Sequence, residues 1–159
     1  MVLIQASLLL FNTPGQVDIK WRCLLKAVDQ YTRELVHWVD LPRVAETRGT
    51  LTEISFHTLP FVAARSFFIT DVPVGAVRGG HAHRDGEQLL VCMSGRIEVR
   101  IRHNGVEQTT ICKPDGRALY VKAGVWASQT YLDEGSSLLV FCSHPFSMDS
   151  YSEENPGEP

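Results

Sequence analysis

The residues with the clearest capacity for chemistry lie in one short segment, Arg78-Gly79-Gly80-His81-Ala82-His83. Two histidines separated by one residue project from the same face of a β-strand. Two imidazoles directed into a protein interior are costly unless they have partners or a function. Imidazole titrates near neutral pH, which suits the removal and return of a proton beside a carbonyl. The segment therefore predicts an active or binding site.

Arg78, at the start of the same segment, has two interpretations. Its fork of donors can hold a phosphate or an enolate oxygen, which would make it part of the site. A surface charge at the start of a strand is the alternative.

The spacing around the histidine pair resembles the first cupin motif, in which a glycine precedes H-x-H and a glutamate and a second glycine follow. The glutamate position falls on Gln88, because Gln88 is the residue followed by six others and then Gly95. Glu87 is one place away, and a shift of one residue along a strand reverses the direction of a side chain. The matching positions are Gly75, His81, His83 and Gly95.

The second cupin motif is expected at residues 116–127, where Lys122 replaces its proline and Ala127 replaces its last metal-binding histidine. Two imidazoles and a neutral amide are a poor ligand set for a first-row metal. We therefore expect neither a metal nor another cofactor. A metal cupin using the two histidines with Glu87 or Gln88 is the less favoured alternative.

From His37 onward, the sequence predicts that β-strands position these residues. Short apolar runs alternate with turn residues, which is typical of an all-β sandwich or barrel. Asn104-Gly105 lies between two such runs and predicts a hairpin. Ile97, Val99 and Ile101 alternate with charged residues, which indicates one buried and one exposed face.

Together with the cupin motifs, this pattern predicts an all-β cupin (RmlC-like) jelly-roll barrel with a short N-terminal extension. We expect three parts. Residues 1–35 form the extension, with a strand and a short helix; residues 36–151 form the cupin domain. Residues 152–159 lack apolar side chains and are expected to form a disordered tail.

Composition bounds the class of protein. The net charge is −3 and the basic residues are scattered, so no nucleic acid partner is expected. The apolar start, residues 1–11, is too short to span a membrane and lacks the basic region of a signal peptide. No cysteine pair forms C-x-x-C, and Cys92 and Cys142 lie in apolar runs. Buried reduced thiols and a cytoplasmic location are therefore expected.

A more specific resemblance covers residues 39–151. The chain resembles the metal-independent WxcM-like cupins that act as dTDP-4-dehydro-6-deoxy-D-glucose 3,4-ketoisomerases. The resemblance implies an isomerase that moves the keto group between C4 and C3 of a dTDP-linked 4-keto-6-deoxy sugar through an enediol. The segments that carry it are Arg48-Gly49-Thr50-Leu51, Arg78 to Arg84, Ser94-Gly95, Leu119-Tyr120-Val121 and Val125-Trp126.

The resemblance also implies roles for individual residues. The base is His81 or His83, and the partner is a nucleotide-sugar substrate. Arg48 and Arg78 are implied to hold the nucleotide sugar, and Gln88 and Trp126 to line the pocket. Strand parity adds Tyr120 to these substrate-binding residues.

Because barrel edges and an apolar first strand need covering, we expect a homodimer.

Two positions depart from the family pattern. Phe67 stands where the family has a tyrosine thought to join in proton transfer, and Ala127 stands where it has a histidine or arginine. Strand parity makes Tyr120 or Tyr131 a candidate to supply the missing hydroxyl. The alternative is a catalytically impaired cupin that binds a nucleotide sugar without turnover.

Overall fold

The computed structural model describes residues 34–152. Nearly all of the expected N-terminal extension (1–35) and of the expected tail (152–159) lies outside the described residues. Two short 3₁₀ turns occur at Phe56–Thr58 and Met148–Ser150. The strands are β1 Val36–Asp40, β2 Arg43–Glu46, β3 Gly49–Thr52, β4 Arg65–Ile69, β5 Val77–His83, β6 Gln88–Ser94, β7 Ile97–His103, β8 Val106–Cys112, β9 Arg117–Val121, β10 Trp126–Tyr131, β11 Ser137–Cys142 and β12 Tyr151–Ser152.

These strands form two five-stranded antiparallel sheets and one separate hairpin. The first sheet has the order β1-β9-β6-β11-β4, the second has the order β12-β5-β10-β7-β8, and β2 pairs only with β3. Such an arrangement confirms the predicted all-β jelly roll. The predicted hairpin at Asn104-Gly105 joins β7 to β8, and both residues have the positive φ that a tight two-residue turn requires.

The main core lies between the two sheets. The inward side chains of β7, Ile97, Val99 and Ile101, are buried there, as their alternation predicts. The first sheet is also covered on its outer face, where Leu89 and Phe141 pack against residues of the 54–63 segment. Because β6 is buried on both faces, its sequence is continuously apolar instead of alternating.

A β-bulge in β5 decides which of its side chains face the interior. Ala127 pairs with His81 across the ladder, yet the next residue of β10 pairs with Gly79, so Gly80 is an extra residue. The bulge reverses which side chains of β5 face inward on its N-terminal side. As a result, Arg78 lies opposite Gln129. Both glycines lie within the continuous strand β5.

The described cysteines Cys92, Cys112 and Cys142 are buried and unbonded, whereas Cys23 lies outside the described residues. Burial raises the pKa of Cys92 to about 11 and that of Cys112 to about 12, so both remain protonated thiols at neutral pH. Within residues 34–152, no helix has the length and apolar character needed to cross a membrane.

The bulge provides a stability prediction. A Cβ on Gly79 would lie 2.9 Å from the Ala127 carbonyl oxygen, at a φ of +74°, whereas Gly135 has a similar φ with nothing within 4 Å. Both G79A and G135A should suffer backbone strain of about 1–3 kcal/mol. G79A should lose a further ~1–3 kcal/mol from overpacking. Denaturant unfolding measures both; equal losses would show that the Ala127 carbonyl moves aside at no cost.

Candidate active site

A cleft opens between the two sheets beside β5. Its cavity volume is about 150 Å³. Both sheets contribute to its wall, which is apolar deep in the barrel and polar around the histidine pair. The polar lining side chains are Arg78, His81, His83, Gln88, Lys122, Gln129 and Tyr151.

His81 and His83 face this cleft together. Their ring centroids are 5.0 Å apart and their planes are nearly perpendicular. The amide nitrogen of Gln88 lies 2.9 Å from His83 Nε2. An amide nitrogen donates only, so Nε2 of His83 accepts this bond and its lone pair points into the cleft wall at Gln88.

The surroundings of His83 keep its imidazole neutral. Burial, the neighbouring His81 and the positive charge of Arg65 together lower the pKa of His83 to about 4. Arg65 is held beside the cleft by aromatic rings, since its guanidinium carbon lies 5.1 Å from the centre of Phe67 and 5.3 Å from that of Phe146. At neutral pH, His83 is therefore a deprotonated base.

Two cationic side chains also line the cleft. Arg78 reaches it from β5 because of the bulge, and Lys122 reaches it from the end of β9. Both residues are exposed overall. Cations that line a cleft favour an anionic ligand, and a diphosphate is such a ligand.

Tyr151 completes the polar wall. The C-terminal β12 pairs with β5 so that Tyr151 lies opposite His83. Its ring centroid is 4.3 Å from that of His81 and 4.8 Å from that of His83. Sequence reasoning missed Tyr151, Lys122 and Gln129. The antiparallel partner of β12 lies far away in the chain, and no local pattern reveals it.

The structure brings four of the predicted residues together in the cleft: Arg78, His81, His83 and Gln88. It does not bring the remaining three. Arg48 follows β2 in the separate hairpin, with its side chain 86% exposed and paired with Glu46 at 2.6 Å. The hairpin surface around Arg48 does not join the cleft.

Tyr120 and Trp126 are corrected by strand parity. Leu119 and Val121 face the core between the sheets, so Tyr120 faces the opposite side and its hydroxyl donates to Glu87. Trp126 precedes the inward Ala127 and stacks instead with the Arg102 guanidinium, whose carbon is 4.8 Å from the ring centre. Neither side chain lines the cleft.

Both departures from the family pattern fall in the cleft wall. Phe67 and Ala127 line it, and Ala127 lies directly opposite His81. Tyr120 faces outward, so the hypothesis that it supplies a hydroxyl here is wrong. Tyr131 is fully buried among core residues, does not line the cleft, and has a pKa raised to about 12 by burial.

The donor set around the histidines does not fit a metal ion. A methyl group lies opposite His81, and the amide of Gln88 directs its nitrogen, which is no ligand, toward His83. Glu87 hydrogen-bonds to Tyr120 on the outer face of the sheet instead of reaching the cleft. In residues 34–152, no group of three or more His, Cys, Asp or Glu side chains is arranged to hold a metal ion.

Residues 34–156 match the family described as FdtA: WxcM-like, C-terminal. A TDP-4-oxo-6-deoxy-alpha-D-glucose-3,4-oxoisomerase of Aneurinibacillus thermoaerophilus is 26% identical over 114 residues, covering 71% of this chain and 82% of that protein. The 3,4-ketoisomerase of Thermoanaerobacterium thermosaccharolyticum in complex with TDP superposes with a TM-score of 0.71 and 28% identity, covering 75% of this chain and 88% of that one. A histidine-to-asparagine variant of that enzyme in complex with TDP-4-keto-6-deoxyglucose has 27% identity and a TM-score of 0.71, covering 75% of this chain and 87% of that one.

The lowered pKa of His83 predicts a pH dependence of stability. The folded imidazole has a pKa of about 4, against an ordinary value of 6.5. Between these values the unfolded chain binds a proton that the folded chain does not, so the free energy of unfolding should decrease as pH falls from 6.5 to 4. NMR titration of the His83 imidazole measures the folded-state pKa, and denaturant unfolding at each pH measures the free energy of unfolding. H83N should flatten the dependence and the exposed H57N should retain it; a folded pKa near 6.5 would contradict the prediction.

Proposed function

The chain belongs to the FdtA family of WxcM-like C-terminal domains, and on that premise we propose that it is a sugar-nucleotide 3,4-ketoisomerase. The substrate is a dTDP-linked 4-keto-6-deoxy sugar, as the names of its relatives in Aneurinibacillus and Thermoanaerobacterium indicate. One observation carries the proposal for this chain. A neutral imidazole, a second imidazole and an arginine share one cleft with an amide that supports the base.

The reaction requires two proton movements, one on carbon and one on oxygen. A base removes the proton from C3, the electrons move onto the C4 carbonyl oxygen, and an enediol forms. Return of the proton to C4 and loss of the O3 proton produce the 3-keto sugar. We propose that His83 is the carbon base and that His81 stands beside the forming enediolate. His83 suits this role because it is deprotonated at neutral pH.

Gln88 prepares His83 for this reaction. Its amide donates to Nε2 and so holds the ring in the orientation and tautomer that leave a lone pair on that nitrogen. A substrate that approaches His83 would exchange places with this donor. The negative charge that the ligand brings would also raise the low pKa of the imidazole toward the working pH.

Arg78 and Lys122 are proposed to bind the diphosphate. Both line the cleft with positive charge, and a guanidinium can bind phosphate oxygens in a bidentate manner. The structures of the Thermoanaerobacterium enzyme contain TDP or a TDP-sugar, which supports a ligand of this chemistry. Arg48 is too distant within the single chain to be given a role here.

A second candidate function is binding of a nucleotide sugar without turnover. Phe67 and Ala127 favour it, because both replace polar groups of the family with groups that transfer no proton. The base, the amide and the cations all remain in the cleft, and these parts favour an active enzyme.

The proposed isomerase is tested by incubating the protein with dTDP-4-keto-6-deoxyglucose in D₂O and following the sugar protons by NMR. We expect deuterium exchange at C3 together with a 3-keto product. H83N should lower the rate of isomerisation by roughly 10²–10⁴-fold, which is the usual contribution of a general base to the rate. H57N is the matched control, because His57 is exposed and outside the cleft. Binding without exchange or product would leave the sugar-binding function instead.

We also propose that the protein works as a homodimer in the cytoplasm. The β2–β3 hairpin is exposed along both strands, including the apolar Val44 and Leu51, and Phe68 is 75% exposed on the edge strand β4. Exposed apolar edges favour association. The buried free thiols support a reducing compartment.

Light scattering measures the molecular mass of the protein in solution and so its oligomeric state. The expected mass is twice the 17.8 kDa of one chain. The variant V44D/L51D should shift the protein toward monomer if the hairpin forms the interface, because it places charges in an apolar contact. A monomer for the unchanged chain would overturn the proposed assembly.

A further inference from the structure

The proposed isomerisation leaves one proton without a carrier. The imidazole of His83 serves the carbon-bound proton, while a proton must also leave O3 and one must reach O4. A group that both donates and accepts at neutral pH is needed for this second transfer, and a hydroxyl does so. We propose that Tyr151 is this group, a role that rests on the proposed function.

The pairing of β12 with β5 places Tyr151 in the cleft. Residues directly opposite one another in an antiparallel ladder project to the same face, and Tyr151 lies opposite His83. The backbone N–H of Arg84 donates to the Ser150 carbonyl at 2.9 Å and holds this end of the chain. The tyrosine ring therefore enters the cleft on the same side as the two imidazoles.

The distances put the ring within reach of the same substrate atoms as the histidines. Its centroid is 4.3 Å from that of His81 and 4.8 Å from that of His83. Phe146 also packs against the Tyr151 ring edge-on, with ring centroids 6.0 Å apart. An aromatic ring in contact with three neighbouring rings has few orientations open to it, which suits a proton donor that must be positioned.

No other described residue that lines the cleft carries a hydroxyl. Phe67 lacks one, Tyr120 uses its hydroxyl to donate to Glu87 on the outer face, and Tyr131 is buried below the cleft among core residues. Among the described residues, the oxygen-bound proton therefore has one hydroxyl partner in the cleft, at Tyr151.

The step balances without any co-reactant. As His83 takes the C3 proton, the phenol of Tyr151 gives its proton to O4, which has become an oxyanion. The resulting phenolate takes the proton from O3 as C4 is protonated by the imidazolium. Both side chains return to their starting states, and the sugar has exchanged one proton on carbon and one on oxygen.

The test compares Y151F with the unchanged protein in the NMR assay in D₂O. We expect kcat to fall about 10²–10⁴-fold, with KM and TDP affinity nearly unchanged, because only a proton donor is lost. We also expect the ratio of C3 exchange to 3-keto product to rise, because the carbon base survives. The double variant F67Y/Y151F returns a hydroxyl to the cleft wall and should recover part of kcat.

Several outcomes would overturn the role of Tyr151. The first is a Y151F protein with unchanged kcat. The second is a parallel fall of exchange and product with a raised KM, which would indicate that the ring only shapes the cleft. The third is the same loss of coupling in Y131F but not in Y151F. Absence of product with the unchanged protein would instead overturn the proposed isomerase itself.

Discussion

The extra glycine in β5 is the constraint on which the arrangement of the cleft depends. Arg78 and His81 are three residues apart, so a regular strand would direct them to opposite faces. Gly80 adds one residue to the ladder, so the side chains that precede it in β5 change from one face of the sheet to the other. Gly79 and Gly80 both have positive φ, a conformation that other residues adopt only with strain. Backbone geometry therefore brings the imidazole of His81 and the guanidinium of Arg78 into the same cleft.

Burial in the barrel then determines the chemistry of the imidazoles. A second imidazole and a guanidinium nearby add to the cost of charging His83, and its pKa is lowered to about 4. The cleft thus contains an imidazole that stays unprotonated at neutral pH. Under the proposed function, the cations Arg78 and Lys122 compensate the negative charge of the ligand. Under the proposed function, ligand binding and basicity are linked, because an anionic ligand raises the pKa of the base.

Two positions in the cleft wall differ from the family pattern. Phe67 and Ala127 make parts of the wall apolar, and neither position can take part in proton transfer. The C-terminal strand brings a hydroxyl to the opposite side of the same cleft, against both imidazoles. Under the inference drawn for Tyr151, the proton relay does not depend on which strand carries the hydroxyl. It depends on whether that hydroxyl reaches the oxygens of the enediol.

Local sequence patterns were sufficient to predict several features of the fold and the site. Alternating and continuous apolar runs predicted the all-β barrel, Asn104-Gly105 predicted a hairpin, and the spacing of His81 and His83 predicted two imidazoles on one face. These signals are local because side-chain direction alternates along any strand. The same rule placed Tyr120 in the site only by assuming which face of its strand was inward, whereas Trp126 was placed there by the family resemblance.

The remaining features depend on contacts between segments that are distant in the chain. The inward face of β9 is set by packing against the opposite sheet, which turns Tyr120 away from the cleft. The bulge, visible in sequence only as two glycines, turns Arg78 inward. Tyr151 joins the histidines through pairing of strands distant in the chain, and Arg48 is carried away on a separate hairpin. Long-range pairing and register are properties of the whole ladder, so no short stretch of sequence contains them.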